Sequence, residues 1–319
     1  MTAELPSPRS LDPDETVSPS VVVLPAVSFD PPLDELAPWL DRLPIADAVS
    51  VPGADAPLSL TDPDGGVAVT TSGMGKAPAA TTVAALHCAD GLDVSSAHWV
   101  SAGIAGAAPQ RAALGSAFVA DAILDWDRKH RWDPDEVGGG RDATAPGAAD
   151  GPDAPAVERL AYLPEGSIHH PNPVLVDDAR DAADDVELVD REDVRDYQAR
   201  YPDAPSRGPR VGVGTTVTSD EFWHGSAVAR EVDELCDAYD VDPYATTQME
   251  DAATAAALSR FGALERHVSV RAVANYDRPA PGEGVHDSFE GTPASVAQAV
   301  ENAARVGRSV VETLLDRER

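Results

Sequence analysis

Short apolar runs alternate with longer helical patterns along most of this 319-residue chain. Runs with the length and β-branched composition of buried strands occupy residues 21–24, 67–71, 97–102, 116–122, 210–216 and 268–274. Helical patterns occupy residues 76–86, 173–187, 225–240, 251–261 and 293–315. Strands that alternate with helices favour a largely parallel sheet covered by helices on both faces. We therefore predict an α/β fold.

The acidic composition limits the partners that this chain can bind. It has 55 acidic and 24 basic side chains, which give a net charge of −31, and its only lysines are Lys76 and Lys129. Such a surface repels nucleic acid and anionic lipid, so we predict neither as a partner. The acidity indicates either a basic partner or a halophilic protein in a high-salt cytoplasm. We favour the second interpretation, because salt screens the repulsion between surface charges.

The sequence also predicts compartment and domain organisation. No stretch approaches the roughly 18 apolar residues of a membrane-spanning helix, and the N-terminal residues lack the apolar core of a signal peptide. Neither Cys88 nor Cys236 has CxxC spacing, and we expect both to be buried thiols in a reducing, cytoplasmic compartment. Residues 1–19 are expected to be a disordered tail, and residues 20–319 a single domain with an acidic surface insertion at about 133–155.

Two glycine-rich segments follow predicted strands. Residues 71–80 (TSGMGKAPAA) match neither the spacing of a phosphate-binding P-loop nor the three-glycine dinucleotide motif. Their N–H groups nevertheless lie where the start of a helix can bind an anion or a sugar hydroxyl, and plain packing of strand against helix is the alternative. Residues 101–107 (SAGIAGA) are interpreted as a second such turn.

Three further segments carry polar and aromatic side chains: residues 219–223 (SDEFW), 246–253 (TTQMEDAA) and 271–277 (RAVANYD). In this order along the chain, the five segments resemble the active-site set of the purine nucleoside permease family, within the nucleoside phosphorylase and nucleosidase superfamily. The resemblance implies an α/β/α fold in three layers, with a central mixed, barrel-like sheet. It also implies a homo-oligomer that binds a purine nucleoside.

The resemblance assigns a role to each of these segments. Glu250, with Met249 on the sugar face, would contact the ribose and stabilise the positive charge that develops on it. Phe222 would stack on the base, Asn275 would hydrogen-bond it, and Asp277 is the candidate to protonate it. The nucleophile would be held by the two glycine-rich segments, through Gly73, Gly75, Lys76, Gly103, Ala105 and Gly106. The alternative for Glu250 is a carboxylate that only favours a helix N-terminus, and for Asn275 a simple turn residue.

Two departures from the family pattern bear on the nucleophile. Ile104 occupies the position where phosphorylases place a serine or threonine that binds phosphate, and residues 26–36 hold acids where the phosphate-clamping arginine is expected. Arg111 is a candidate replacement, although a surface role is the simpler interpretation. Inorganic phosphate therefore stays open as a co-substrate, and no other cofactor is expected. Adjacent His169 and His170 point apart in an extended chain, so no metal site is expected.

These observations predict cleavage of the N-glycosidic bond of a purine nucleoside, by phosphorolysis or hydrolysis. One alternative is a nucleoside-binding component associated with transport, which binds without catalysis, and another is a regulatory module with a degenerate site. Because asparagine both donates and accepts hydrogen bonds, Asn275 is expected to favour inosine and guanosine over adenosine.

Overall fold

The structure, a computed structural model, describes residues 5–133, 156–163 and 166–317. Within these ranges the strands are β1 (Arg9–Ser10), β2 (Ser18–Leu24), β3 (Asp47–Ser50), β4 (Leu58–Asp62), β5 (Gly65–Val69), β6 (His98–Ala107), β7 (Ala117–Asp125), β8 (Lys129–Arg131), β9 (Val157–Arg159), β10 (Ile168–His169), β11 (Val211–Thr218), β12 (Thr246–Gln248) and β13 (His267–Tyr276). The helices are α1 (Ala37–Leu40), α2 (Lys76–Cys88), α3 (Pro173–Asp184), α4 (Glu192–Gln198), α5 (Ser226–Ala238), α6 (Asp251–Arg260) and α7 (Pro293–Arg317).

One mixed sheet dominates the described residues, and part of it closes on itself. Strand β6 pairs with β13 and β12, β13 pairs with β7, β7 with β11, and β11 with β12, which completes a ring. The β6–β13 and β7–β11 pairs are parallel, whereas β7–β13 and β6–β12 are antiparallel. Strands β2, β5, β4, β3 and β1 extend the sheet outward from β6. The predicted barrel-like mixed sheet is confirmed.

Helices cover this sheet on different sides. Helix α7 turns one apolar stripe towards the sheet, since Val306, Val310 and Leu314 recur at helical spacing and are buried. Helix α3 packs on the same core, and Asn172 begins it by accepting a hydrogen bond from the Val174 N–H at 3.0 Å. Helices α2 and α6 pack against each other on a second core, and α5 covers a third. The predicted layered arrangement of helices around a sheet is confirmed.

Three expectations from the sequence are wrong. Residues 101–107 are not a turn, because β6 runs without a break to Ala107 and pairs with β13 along that length. The tail 1–19 is partly ordered, since β1 pairs with β3 and Arg9 binds Asp47. Cys88 is exposed at the end of α2, whereas Cys236 is buried. The acidic insertion predicted at 133–155 lies outside the described residues from residue 134 onward.

Candidate active site

A cavity of about 190 Å³ opens where β6, β12 and β13 meet the loops after β2 and β11. Its lining is largely apolar, with a few charged and polar side chains, as is common for small-molecule sites. The lining residues are Ala26, Val27, Leu33, Glu35, Met74, Ile104, Ala105, Gly106, Ser219, Glu221, Phe222, Trp223, Thr247, Gln248, Met249, Glu250, Arg271, Asn275 and Asp277.

Glu250 lies at the start of α6 with only 4% of its surface exposed. Gln248 fixes this turn, because its Oε1 accepts the N–H groups of Glu250 and Asp251 at 2.7 and 2.9 Å. The Glu250 carboxylate accepts the Gly75 N–H at 3.0 Å through Oε1 and lies 3.2 Å from Arg271 Nη1 through Oε2. Each oxygen therefore keeps lone pairs for a ligand hydroxyl.

Arg271 is the buried cation at the centre of the site. It reaches the cavity from β13 and donates to Asp251, with Nη2 to Oδ1 at 2.5 Å and Nε to Oδ2 at 3.1 Å. Although burial disfavours a charged Asp251, this ion pair holds the pKa of Asp251 below its usual range. The charge of Arg271 is thus shared between two carboxylates before any ligand enters.

Glu35 is a second buried carboxylate in the cavity, and it was not among the residues assigned from the sequence. It accepts the N–H of Ala26 at 2.6 Å, of Val27 at 3.3 Å and of Ile104 at 2.7 Å. A Cβ at Gly103 would lie 2.7 Å from Glu35 Oε1 and 2.9 Å from Arg271 Nη1. The glycine in β6 therefore leaves the space that the Glu35 carboxylate and the Arg271 guanidinium both border.

Burial shifts the titration of both glutamates towards neutrality. It raises the pKa of Glu250 to about 7, against the opposing effects of Arg271 and the Gly75 N–H. Burial likewise raises the pKa of Glu35, although Arg271 and three backbone N–H groups favour its charged form. A buried carboxylate with a raised pKa is suited to proton transfer, and a charged one to stabilising a cation.

The first glycine-rich segment meets protein carboxylates at its helix start. The Gly75 N–H donates to Glu250, and the Lys76 N–H donates to Asp220 at 2.8 Å. The Lys76 Nζ lies 2.9 Å from Asp125 and 2.7 Å from Asp127. Although burial alone lowers the pKa of Lys76, these two partners raise it. The segment orients Glu250, while Met74 is the member that lines the cavity.

The loop after β11 brings aromatic side chains to the cavity wall. Phe222 is 60% exposed, and its ring packs edge to face against Phe289 at 6.0 Å between centroids. Asn275 lies beside them at the end of β13, where the pairing with β6 shifts register after Val273. Such a bulge re-aims the side chains that follow it. An aromatic face and an amide at one end of a cavity are suited to a planar heterocycle.

Asp277 also lines the cavity, and each of its oxygens accepts a hydrogen bond from another side chain. Tyr244 donates its hydroxyl hydrogen to Oδ2 at 2.5 Å, and Arg278 Nε donates to Oδ1 at 2.6 Å. The role of Asp277 in protonating the base stays a prediction. Arg111, considered as a phosphate clamp, instead binds Asp233 and the Tyr244 carbonyl and does not line the cavity.

The cavity brings together most of the residues assigned from the sequence. Those that line it are Phe222, Met249, Glu250, Asn275, Asp277, Ala105 and Gly106, whereas Gly73, Gly75, Lys76 and Gly103 do not. Glu35 and Arg271 were missed as site residues. The sequence feature that could have identified Glu35 is the presence of acids in residues 26–36, where the phosphate-clamping arginine was expected.

Residues 18–318 match the model of the purine nucleoside permease family. The chain belongs to this family. A probable purine nucleoside permease of Schizosaccharomyces pombe is 28% identical over 236 residues, which cover 66% of this chain and 64% of that protein. The match thus spans slightly less than two thirds of that relative's length.

Solved structures with the same fold include a futalosine hydrolase and a nucleosidase. Futalosine hydrolase of Helicobacter pylori aligns with a TM-score of 0.59 and 17% identity, over 93% of this chain and 98% of that one. The 5′-methylthioadenosine/S-adenosylhomocysteine nucleosidase of Colwellia psychrerythraea, solved with adenine, aligns with a TM-score of 0.54 and 19% identity, over 94% and 96%. At these identities the likeness establishes the fold.

The family name refers to transport across a membrane. Among the helices in the described parts of the chain, none is both long enough and apolar enough to cross a bilayer.

Proposed function

We propose that this protein hydrolyses the N-glycosidic bond of a purine nucleoside to a free base and ribose. The observation that carries this proposal is the pair of buried carboxylates, Glu35 and Glu250, which line one cavity together with Arg271, Phe222 and Asn275. The nucleosidase fold of the structural neighbours supports it. So does membership of a family named for purine nucleosides.

Glu250 is proposed to hold the ribose hydroxyls. Breaking the bond between C1′ and N9 leaves positive charge on the sugar ring, and a fixed carboxylate stabilises that charge more than it stabilises the neutral substrate. The Gly75 N–H and Arg271 keep the carboxylate in place and leave lone pairs free for the hydroxyls. Met249, on the same turn, contacts the sugar face.

Glu35 is proposed to accept the proton of the attacking water. The water oxygen forms a bond to C1′, its proton moves to a Glu35 oxygen, and the electron pair of the broken bond leaves with N9 of the base. The base then takes a proton from solvent. The raised pKa of Glu35 makes its carboxylate a stronger base than an exposed glutamate.

The charges in the cavity support water over phosphate as the nucleophile. Among the described residues that line it, Arg271 is the only basic side chain, and it is already paired with Asp251 and Glu250. The Ile104 N–H donates to Glu35 and is therefore not free to bind phosphate. A phosphate dianion at this wall would face carboxylates without a free cation, which is unfavourable in a buried site.

Incubation of the purified protein with adenosine, inosine and guanosine tests the proposal. We expect free base and ribose in phosphate-free buffer, no ribose 1-phosphate, and a rate that added phosphate does not change. Glu35→Gln, which keeps the size of the side chain and removes its basicity, should lower kcat by about 10²–10⁴. Glu234→Gln removes a partly buried carboxylate on α5 outside the cavity and should leave kcat unchanged. A requirement for phosphate would contradict hydrolysis.

The second candidate is a component that binds nucleosides for transport and does not cleave them. It is favoured by two residues of the cavity: the Asn275 amide cannot supply a proton to a departing base, and Asp277 already binds Tyr244 and Arg278. Saturable nucleoside binding by calorimetry, with no base released over long incubation, would establish this candidate in place of the enzyme.

A further inference from the structure

The amide of Asn275 is held in one orientation by the backbone around it. Its Nδ2 donates one hydrogen to the Phe289 carbonyl at 2.9 Å and the other to the Tyr276 carbonyl at 3.3 Å. Both donor hydrogens are therefore used within the protein. Oδ1, by contrast, accepts no hydrogen bond from any residue in the described ranges, and the side chain lines the cavity.

The opposite orientation of this amide is unfavourable. Exchanging Nδ2 and Oδ1 would place a carbonyl-type oxygen against two backbone carbonyl oxygens, so that three acceptors would meet without a hydrogen. Gly106 and Gly291 pack closely around the side chain, at distances where an added Cβ would lie 3.1–3.6 Å from Asn275 atoms. Asn275 therefore presents an acceptor, and no donor, to the ligand.

This acceptor lies at the end of the cavity where the base is proposed to stack. Phe289 connects the two features, because its carbonyl holds the Asn275 amide and its ring packs against Phe222. A 6-aminopurine carries N–H donors on its exocyclic nitrogen, whereas a 6-oxopurine presents an acceptor, O6, at that position. If O6 faced Asn275 Oδ1, two acceptors would meet without a hydrogen and both would stay unpaired. Such a pairing disfavours binding of a 6-oxopurine.

We infer that Asn275 Oδ1 selects 6-aminopurine nucleosides by accepting a hydrogen bond from the exocyclic amine. This inference rests on the proposed function for the position of the base. It reverses the expectation from the sequence that the site favours inosine and guanosine. That expectation required Asn275 to donate a hydrogen to O6, but both donor hydrogens are held by backbone carbonyls.

Three nucleosides that differ at position 6 test the inference: adenosine, with an amine, purine riboside, with hydrogen, and inosine, with O6 and an N1–H. In the wild type we expect kcat/KM to be highest for adenosine, lower for purine riboside and lowest for inosine. In Asn275→Ala the adenosine to purine riboside ratio should fall about tenfold, the value of one hydrogen bond. The ratio is taken within one preparation, so a partly unfolded variant does not distort it.

Asn172→Ala is the matched control, because it also removes an asparagine amide and lies outside the cavity. It should leave the ratio unchanged. Higher kcat/KM for inosine, as expected if Oδ1 accepted from N1–H, or an unchanged ratio in Asn275→Ala, would overturn the inference. If none of the nucleosides is cleaved, the proposed hydrolysis fails, and the same order and ratios measured as dissociation constants decide the inference.

Discussion

At the scale of single residues, the site depends on buried carboxylates beside a buried guanidinium. Glu250 and Glu35 are both 4% exposed, and Arg271 between them is 3% exposed. Burial alone would neutralise such acids, and the guanidinium and backbone N–H groups offset part of that effect. The result is a site in which a modest change of charge has a large effect on any bound ligand.

Glu250→Gln should lower kcat by about 10²–10³, because the amide keeps the size of the side chain but loses the charge that stabilises the sugar cation. Single-turnover release of base measures this effect. The circular dichroism spectrum should be unchanged, and Glu234→Gln serves again as the control outside the cavity. Near-full turnover in Glu250→Gln would remove this residue from the proposed mechanism.

The pH dependence of kcat/KM should follow Glu250. Its pKa of about 7 is raised above the ordinary value of 4.5, so the charged form that the reaction needs dominates only above about pH 7. Activity should therefore fall as the pH is lowered through neutrality. Initial rates between mildly acidic and alkaline pH measure the profile. An acidic limb near the ordinary glutamate pKa of 4.5 would contradict the shifted titration.

At the scale of secondary-structure elements, the start of α6 is fixed by a side chain from the strand before it. Gln248 accepts two N–H groups of the first turn, and its Nε2 donates to Thr218 at 2.7 Å. This places Glu250 against Gly75 at the start of α2. Two helix N-termini and the end of β12 thus meet at one carboxylate.

Gln248→Ala should therefore lower both stability and kcat. Loss of a capping acceptor costs about 1 kcal/mol, and the first turn of α6 that carries Glu250 loses its anchor. Asn172→Ala removes the cap of α3 and should cost a similar free energy of unfolding without lowering kcat. Urea denaturation and kcat of the two variants separate stability from positioning. Equal kcat in both would show that Gln248 has no role in placing Glu250.

At the scale of the whole molecule, the net charge of −31 opposes compaction. Several arginines form ion pairs with surface acids, such as Arg42 with Glu301 and Arg308 with Glu312. Exposed pairs of this kind stabilise a fold only weakly. Most of the acidic surface therefore depends on counter-ions for screening.

The free energy of unfolding should increase with salt, and the protein should lose structure as salt is removed. Thermal melts followed by circular dichroism, from dilute buffer to molar potassium chloride, measure this dependence. A parallel series in sucrose strengthens burial without screening charge and should have the smaller effect at low concentration. Equal stability in dilute buffer and in salt would show that self-repulsion is unimportant here.

The sequence by itself determined the α/β class, the order of the main strands and helices, and several cavity residues, including Glu250, Asn275 and Phe222. These features are local: apolar periodicity reports which face of an element is buried, and a carboxylate at a helix start is visible in the chain. Helix α7 and strand β13 were predicted within a few residues for this reason.

Tertiary structure alone decided which groups face the ligand. Glu35 meets the Ile104 N–H across 69 residues, and Gly75 meets Glu250 across 175. Residues 101–107 have the composition of a turn but form a strand, because β13 provides a partner along their length. The donor hydrogens of Asn275 are held by the Phe289 and Tyr276 carbonyls. Pairings between distant segments and the direction of a hydrogen bond depend on three-dimensional contacts that no local pattern records.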